Sequence, residues 1–117
     1  MAYVDGFVVP VPKDRLEDYK QMAREACDLW KSLGARDYVE CIGDDVPPGK
    51  LTSFPLSVQL KDDEVVVLSW IVYDSREQRD QVNAKVMADP RMKEWEARMP
   101  FDGKRMIWGG FVPFLGL

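Results

Sequence analysis

The segment EVVVLSWIVY, Glu64 to Tyr73, restricts the fold more than any other part of the chain. It is apolar on both faces of a strand, so it belongs in the middle of a sheet whose two sides are both covered. Other extended segments can supply its neighbours. Tyr3 to Val11 alternates loosely, is rich in Val and Phe, and is closed by Pro10 and Pro12. Arg36 to Ile42 sets Tyr38, Glu40 and Ile42 against Asp37, Val39 and Cys41, a strand of mixed chemistry on both sides. Arg105 to Phe114 reads as the last strand, and Gly109 and Gly110 in its interior point to a bulge or a close backbone approach. Phe54 to Leu60 reads as an additional arm, joined through Lys61-Asp62-Asp63 to the central strand as a hairpin.

Helical spacing fills the gaps between strands. Asp14 followed by Glu17 has the form of a capping box, and Leu16, Tyr19, Ala23, Ala26, Trp30 and Leu33 then recur on one face until Gly34 ends the helix. Ser75 with Gln78 caps a second helix carrying Val82, Val86 and Met87. Asp89-Pro90 starts a third, with Met92, Trp95 and Met99 on one side. Without the extra arm the order is βαββαβ, a ferredoxin-like α+β domain over residues 1–117 with both helical layers on one face of an antiparallel sheet. The other face is also rich in apolar side chains, and a second copy of the chain is the simplest cover for it.

Composition narrows the chemistry. There is no histidine, which removes the usual metal and haem ligand, the usual neutral-pH base, and any Ser-His or Cys-His nucleophile. No metal site and no cofactor are expected. Cys27 and Cys41 lack paired metal-ligand spacing and read as buried thiols. Sixteen basic against twenty acidic residues give a net charge of −4 without a basic cluster, so nucleic acid is not an expected partner. The start, MAYVDGFVV, has no leader pattern and no apolar run is long enough to span a bilayer, which points to a cytoplasmic protein without membrane attachment.

YVDGFVVPVP, then VEC with DDVPPGK, VLSWIVY, DPRM and MPFDGKRMIWGGF together resemble the YbaA-like family of bacterial proteins of unknown function, domain of unknown function 1428. The resemblance implies membership of the dimeric α+β barrel superfamily, in which two ferredoxin-like subunits pack sheet against sheet. It assigns no catalytic residues.

Strand alternation within that arrangement sorts side chains into two sets. Val4, Gly6 and Val8, Val39 and Cys41, and Gly109 with Phe111 are expected to meet the helices. Tyr3, Asp5, Phe7 and Val9, Tyr38 and Glu40, and Met106 with Trp108 then face the partner. On the central strand the choice between Trp70 and the pair Ser69 and Tyr73 stays open. Asp5, Tyr38, Glu40 and Trp108 are the expected lining of a cavity in each subunit, with Phe7 and Met106 beside them. In an apolar setting Asp5 or Glu40 would titrate high and could act as general acid or base, with Tyr38 and Trp108 as walls. The plainer reading pairs these carboxylates with Arg36, Lys104 or Arg105. Two functions follow: a homodimeric, cofactor-independent enzyme acting on a small hydrophobic, oxygenated metabolite, which the superfamily resemblance implies, or a non-catalytic homodimer that binds a ligand or protein.

Overall fold

The computed structural model describes residues 1–117. Its elements are β1 (Tyr3–Pro12), a 3-10 turn (Lys13–Arg15), α1 (Leu16–Ser32), β2 (Asp37–Ile42), α2 (Phe54–Ser57), β3 (Glu64–Tyr73), α3 (Arg76–Ala88), α4 (Pro90–Ala97) and β4 (Ile107–Phe111). The sheet order is β2-β3-β1-β4, antiparallel at every ladder. This is the ferredoxin-like α+β arrangement, with EVVVLSWIVY inside the sheet as its two apolar faces require. Pro10 and Pro12 sit within β1, where the β4 ladder has already ended at Val8–Ile107 and one edge of the strand is free of pairing. No helix is long and apolar enough to cross a membrane.

The expected barrel is corrected. β2 and β4 lie at opposite edges of a four-stranded sheet and do not pair, so the sheet is open and uncurled. Four strands are too few to curl closed around a filled interior. The expected hairpin arm is also absent, because Phe54-Pro55-Leu56-Ser57 forms a helical turn instead of a strand. Ser53 Oγ accepts the Leu56 N–H at 3.0 Å, and Pro55 lies in the first turn, where its missing N–H costs nothing. This excursion places Val46, Pro47 and Phe54 around a hollow with Val66 and Leu68 at one end of the sheet, on the side away from the long helices.

Helix boundaries follow local chemistry. α1 begins through the 3-10 turn and has no side-chain cap, so Asp14 does not cap it. It ends where Gly34 takes φ +119°, a conformation that suits glycine. Ser75 Oγ caps α3 by accepting the Gln78 N–H at 3.0 Å, and Asp89 caps α4 by accepting the Arg91 N–H at 2.9 Å. The main core lies between α1, α3, α4 and the sheet, around Leu29, Ile71, Tyr73, Val82, Val86 and Trp95.

The face assignment is inverted from expectation. Tyr3, Asp5, Val9 and Val11 are buried under the helices, whereas Val4, Gly6 and Val8 share the opposite face with Leu68, Ile107 and Phe111. Register then places Ser69, Ile71 and Tyr73 beneath the helices and Trp70 on the open side. The residues expected to share a face do so, but that face is the helix side. Alternation defines which side chains travel together and carries no label for the side the helices will cover.

Candidate functional site: a carboxylate in an apolar cavity

Two adjacent rows of the sheet carry the expected site residues. One runs Glu40, Ser69, Phe7, Trp108 across the strands, and the next runs Tyr38, Ile71, Asp5, Gly110. Asp5 and Glu40 are therefore separated by β3 and by one row, at roughly 12 Å for two strand spacings and a two-residue offset, too far to share a proton. Each has its own surroundings, and these differ.

Asp5 is an ion-pair residue. Its carboxylate accepts from Arg79 Nε at 3.1 Å, with both side chains largely buried. The Arg79 guanidinium also stands 5.0 Å from the centre of the Tyr3 ring and bonds Asp80 at 2.9 Å. Burial still pushes the Asp5 pKa up, against the opposing pull of Arg79. The partner is Arg79 on α3, not Arg36, Lys104 or Arg105. Gly110 makes this possible, since a Cβ there would collide with the Arg79 guanidinium and the Tyr3 ring. Gly109 serves the other face, where the Phe111 ring lies across it and Gly6 at 3.5–3.6 Å from where a Cβ would stand. The glycine pair thus admits a buried cation on one side and an aromatic ring on the other.

Glu40 has no cation. Its carboxylate accepts a short hydrogen bond from the Tyr19 hydroxyl and a second from the Tyr38 hydroxyl at 3.1 Å. Burial raises its pKa and the two phenols pull back without cancelling the rise. Both phenols are themselves pushed upward, by burial first and then by the Glu40 charge, so they remain hydroxyl donors. Tyr19 arrives from the buried stripe of α1, and Tyr38 and Glu40 arrive from alternate positions of β2.

This triad stands in the wall between two spaces. Inward is a cavity of about 210 Å³ between the helices and the sheet, bounded by Phe7, Ser69 and Ile71 below and by Met22, Ala26 and Trp30 of α1 above. Met92 and Trp95 of α4, then Met99, Phe101 and Met106, close its far side. Outward is a more open groove of about 280 Å³, where Leu16, Lys20 and Arg24 of α1 face Ile42. Phe101 meets Tyr19 edge-on at 5.7 Å between ring centres, so the segment after α4 packs directly onto the triad. Arg105 pins that segment through a bidentate pair with Glu64 at 2.7 and 2.5 Å and a further bond to Asp102 at 3.0 Å.

Four of the six expected site residues, Glu40, Tyr38, Phe7 and Met106, thus line one cavity. Asp5 is committed to Arg79, and Trp108 is 60% exposed on the edge strand β4, outside it. Tyr19, Trp30, Trp95 and Ser69 belong to the site without having been singled out from the sequence. Tyr19 carried a usable signal, because a hydroxyl in the middle of an apolar helical stripe needs a buried partner. Glu64 is held by Arg105, and no group of three metal-ligating side chains comes together.

The family description "Protein of unknown function (DUF1428)" matches residues 2–103. Over 111 residues the chain is 56% identical to the uncharacterized protein YbaA of Escherichia coli K12, covering 95% of each. The same identity and coverage hold for YbaA of Shigella flexneri. Among solved structures it is similar to Rv0793 from Mycobacterium tuberculosis, with TM-score 0.62 and 12% identity, covering 99% of this chain and 98% of the other. It is also similar to a dimeric ferredoxin-like protein from an uncultured marine organism, with TM-score 0.65 and 8% identity over the full length of both chains. These two likenesses concern the fold alone. The match over most of the chain, together with a relative more than half identical across 95% of it, means that the chain belongs to the DUF1428 family.

Proposed function

We propose that the protein binds a small, mainly apolar molecule in the cavity between α1, α4 and the sheet, and that Glu40 anchors its polar end and exchanges a proton with it without a cofactor. The observation that carries this reading is Glu40 itself, a carboxylate in an apolar wall, held by two phenols and by no cation. A purely structural carboxylate is usually paired, as Asp5 is with Arg79 and Glu64 with Arg105. Glu40 departs from that pattern where it borders an apolar cavity. A raised pKa suits a general acid or base operating near neutrality.

The proposal includes a homodimer. Leu68, Ile107 and Phe111 are 40%, 45% and 62% exposed on the sheet face away from the helices, and Val112, Phe114 and Leu115 continue the apolar surface beyond β4. An apolar area of that kind asks for a partner, and a second copy of the chain is the occupant we assign. The marine ferredoxin-like protein of the same fold is described as dimeric. Two unpaired cysteines, Cys27 and Cys41, suit a reducing compartment and support a cytoplasmic site of action.

Native mass spectrometry of freshly purified protein tests both parts. The expected species is a dimer with a small organic adduct on each chain, released on denaturation. A monomer would end the dimer assignment. Adduct-free protein that also takes up none of a set of ring-sized solutes would end the cavity reading.

A further inference from the structure

The walls of the cavity select among polar ends. Seventeen residues line it, and none is Lys or Arg, whereas two are carboxylates, Glu40 inside and Glu96 at the exposed rim. A ligand carboxylate or phosphate would meet Glu40 with no counter-charge. Lys20 and Arg24 belong to the outer groove and are engaged along α1 with Glu17 and Gln21, each at 3.4 Å. Anions are therefore disfavoured inside.

The same walls favour a cation. Six aromatic residues, Phe7, Tyr19, Trp30, Tyr38, Trp95 and Phe101, line the cavity, and their ring faces attract positive charge. Four methionines, Met22, Met92, Met99 and Met106, add polarisable surface for an apolar skeleton. An ionised carboxylate has about four acceptor positions, and the Tyr19 and Tyr38 hydroxyls occupy two of those on Glu40. The remaining acceptors, with Ser69 opposite Glu40 across the β2–β3 ladder, suit a group that brings several donors at once. An ammonium brings three, while a hydroxyl brings one. The cavity of about 210 Å³ exceeds the roughly 150 Å³ of an apolar cavity that takes up benzene, room for one ring with a short substituent.

We infer that the ligand of this cavity is a small protonated amine on an aromatic or aliphatic ring, with its ammonium on Glu40 and its skeleton among the aromatic and methionine side chains. The inference rests on the cavity reading of the preceding subsection and names the ligand class for it. Glu40 is then the counter-ion in the bound state. Burial favours a proton on the empty site's carboxylate, and a bound ammonium reverses that preference, so binding releases a proton and strengthens as pH rises through the Glu40 ionisation. The titratable or charged groups around Glu40 are Tyr19, Lys20, Arg24 and Cys27 of α1, Tyr38 and Cys41 of β2, and Glu96 of α4. β3 contributes only the Ser69 hydroxyl and apolar side chains there.

The test compares three probes of one skeleton, benzylamine, benzyl alcohol and benzoate, against the full chain by calorimetry, with Trp30 and Trp95 fluorescence as a second readout. Benzylamine is expected to bind about tenfold more tightly than benzyl alcohol at pH 7, as suits a charge-assisted hydrogen bond, and benzoate to bind least. Benzylamine affinity should rise between pH 5 and pH 8, and Glu40→Gln should reduce it to the level of the alcohol. Equal or tighter binding of the alcohol or of benzoate would overturn the amine inference and leave the cavity reading standing. An amine preference that survives Glu40→Gln would do the same. Binding of none of the three would overturn both.

Discussion

Asp5, buried, and Glu40, half-buried, are carboxylates on one sheet face, and what separates them is the nearest cation. Asp5 has Arg79 at 3.1 Å; Glu40 has two phenols. The consequence for stability has a definite sign. The folded-state pKa of Glu40 lies above its ordinary value of 4.5, so the native state holds that proton more tightly than the unfolded chain. Its contribution to stability is complete below pH 4.5 and is lost as pH rises through the folded value. Glu64 has the opposite sign, because Arg105 holds its pKa down, and its contribution is lost toward acid. Glu40→Gln keeps the shape of the side chain and removes its ionisation, while one of the two acceptor oxygens becomes an amide nitrogen, a change that does not depend on pH. The stability difference between the variant and the wild type should therefore move in favour of the variant between pH 4 and pH 8. Thermal unfolding at the two pH values measures it, and a difference moving the other way would show that Glu40 is better solvated than its surroundings imply.

At the scale of the element, β4 is the informative strand. Gly109 and Gly110 are neighbours with opposite duties because successive residues of a strand point to opposite faces. A methyl at 110 must displace the Arg79 guanidinium or the Tyr3 ring, and displacing Arg79 exposes the buried Asp5 charge to the lack of a partner. Gly110→Ala should cost about 1–3 kcal/mol in urea unfolding. Gly109→Ala meets the Phe111 ring at an ordinary 3.5 Å and should change stability by less than about 0.5 kcal/mol. Equal costs for the two would refute the division of labour. Glycines inside a strand announce a close approach from sequence alone; what approaches does not, since Arg79 and Tyr3 are distant in the chain. The same limit explains α2. Ser53 and Pro55 are ordinary helix-start residues, yet Phe54, Leu56, Val58 and Leu60 alternate with Pro55, Ser57 and Gln59 as in a strand, and that alternation suits a hairpin arm that the capped helical turn displaces.

For the whole molecule, the proposed dimer rests on the apolar face of the sheet away from the helices. Trp108 and Phe7 lie opposite each other on β4 and β1, with Phe7 packed beneath the helices, so a charge at Phe7 would attack the core before any interface. Phe111 and Leu68 are the residues to change. Phe111→Lys and Leu68→Lys, separately, should convert a dimer to a folded monomer on sedimentation while leaving the far-ultraviolet circular dichroism intact. A dimer unaffected by either would move the interface elsewhere. The cavity lies on the other side of the sheet, so the monomeric variants should still bind the ligand.

What the sequence by itself determined is the four strands of the sheet and the three longer helices, the caps at Ser75 and Asp89, the central position of EVVVLSWIVY, and the grouping of Asp5, Phe7, Tyr38, Glu40 and Trp108 on one face. All of these depend on periodicity and on neighbours a few residues apart. Only the tertiary structure decided which face the helices cover, that Asp5 is neutralised by Arg79, that Glu40 meets Tyr19, and that the sheet remains open. Those outcomes depend on contacts between residues far apart in the chain, Tyr19 with Glu40 and Asp5 with Arg79, and the pattern of a single strand is the same whichever of its sides becomes the interior.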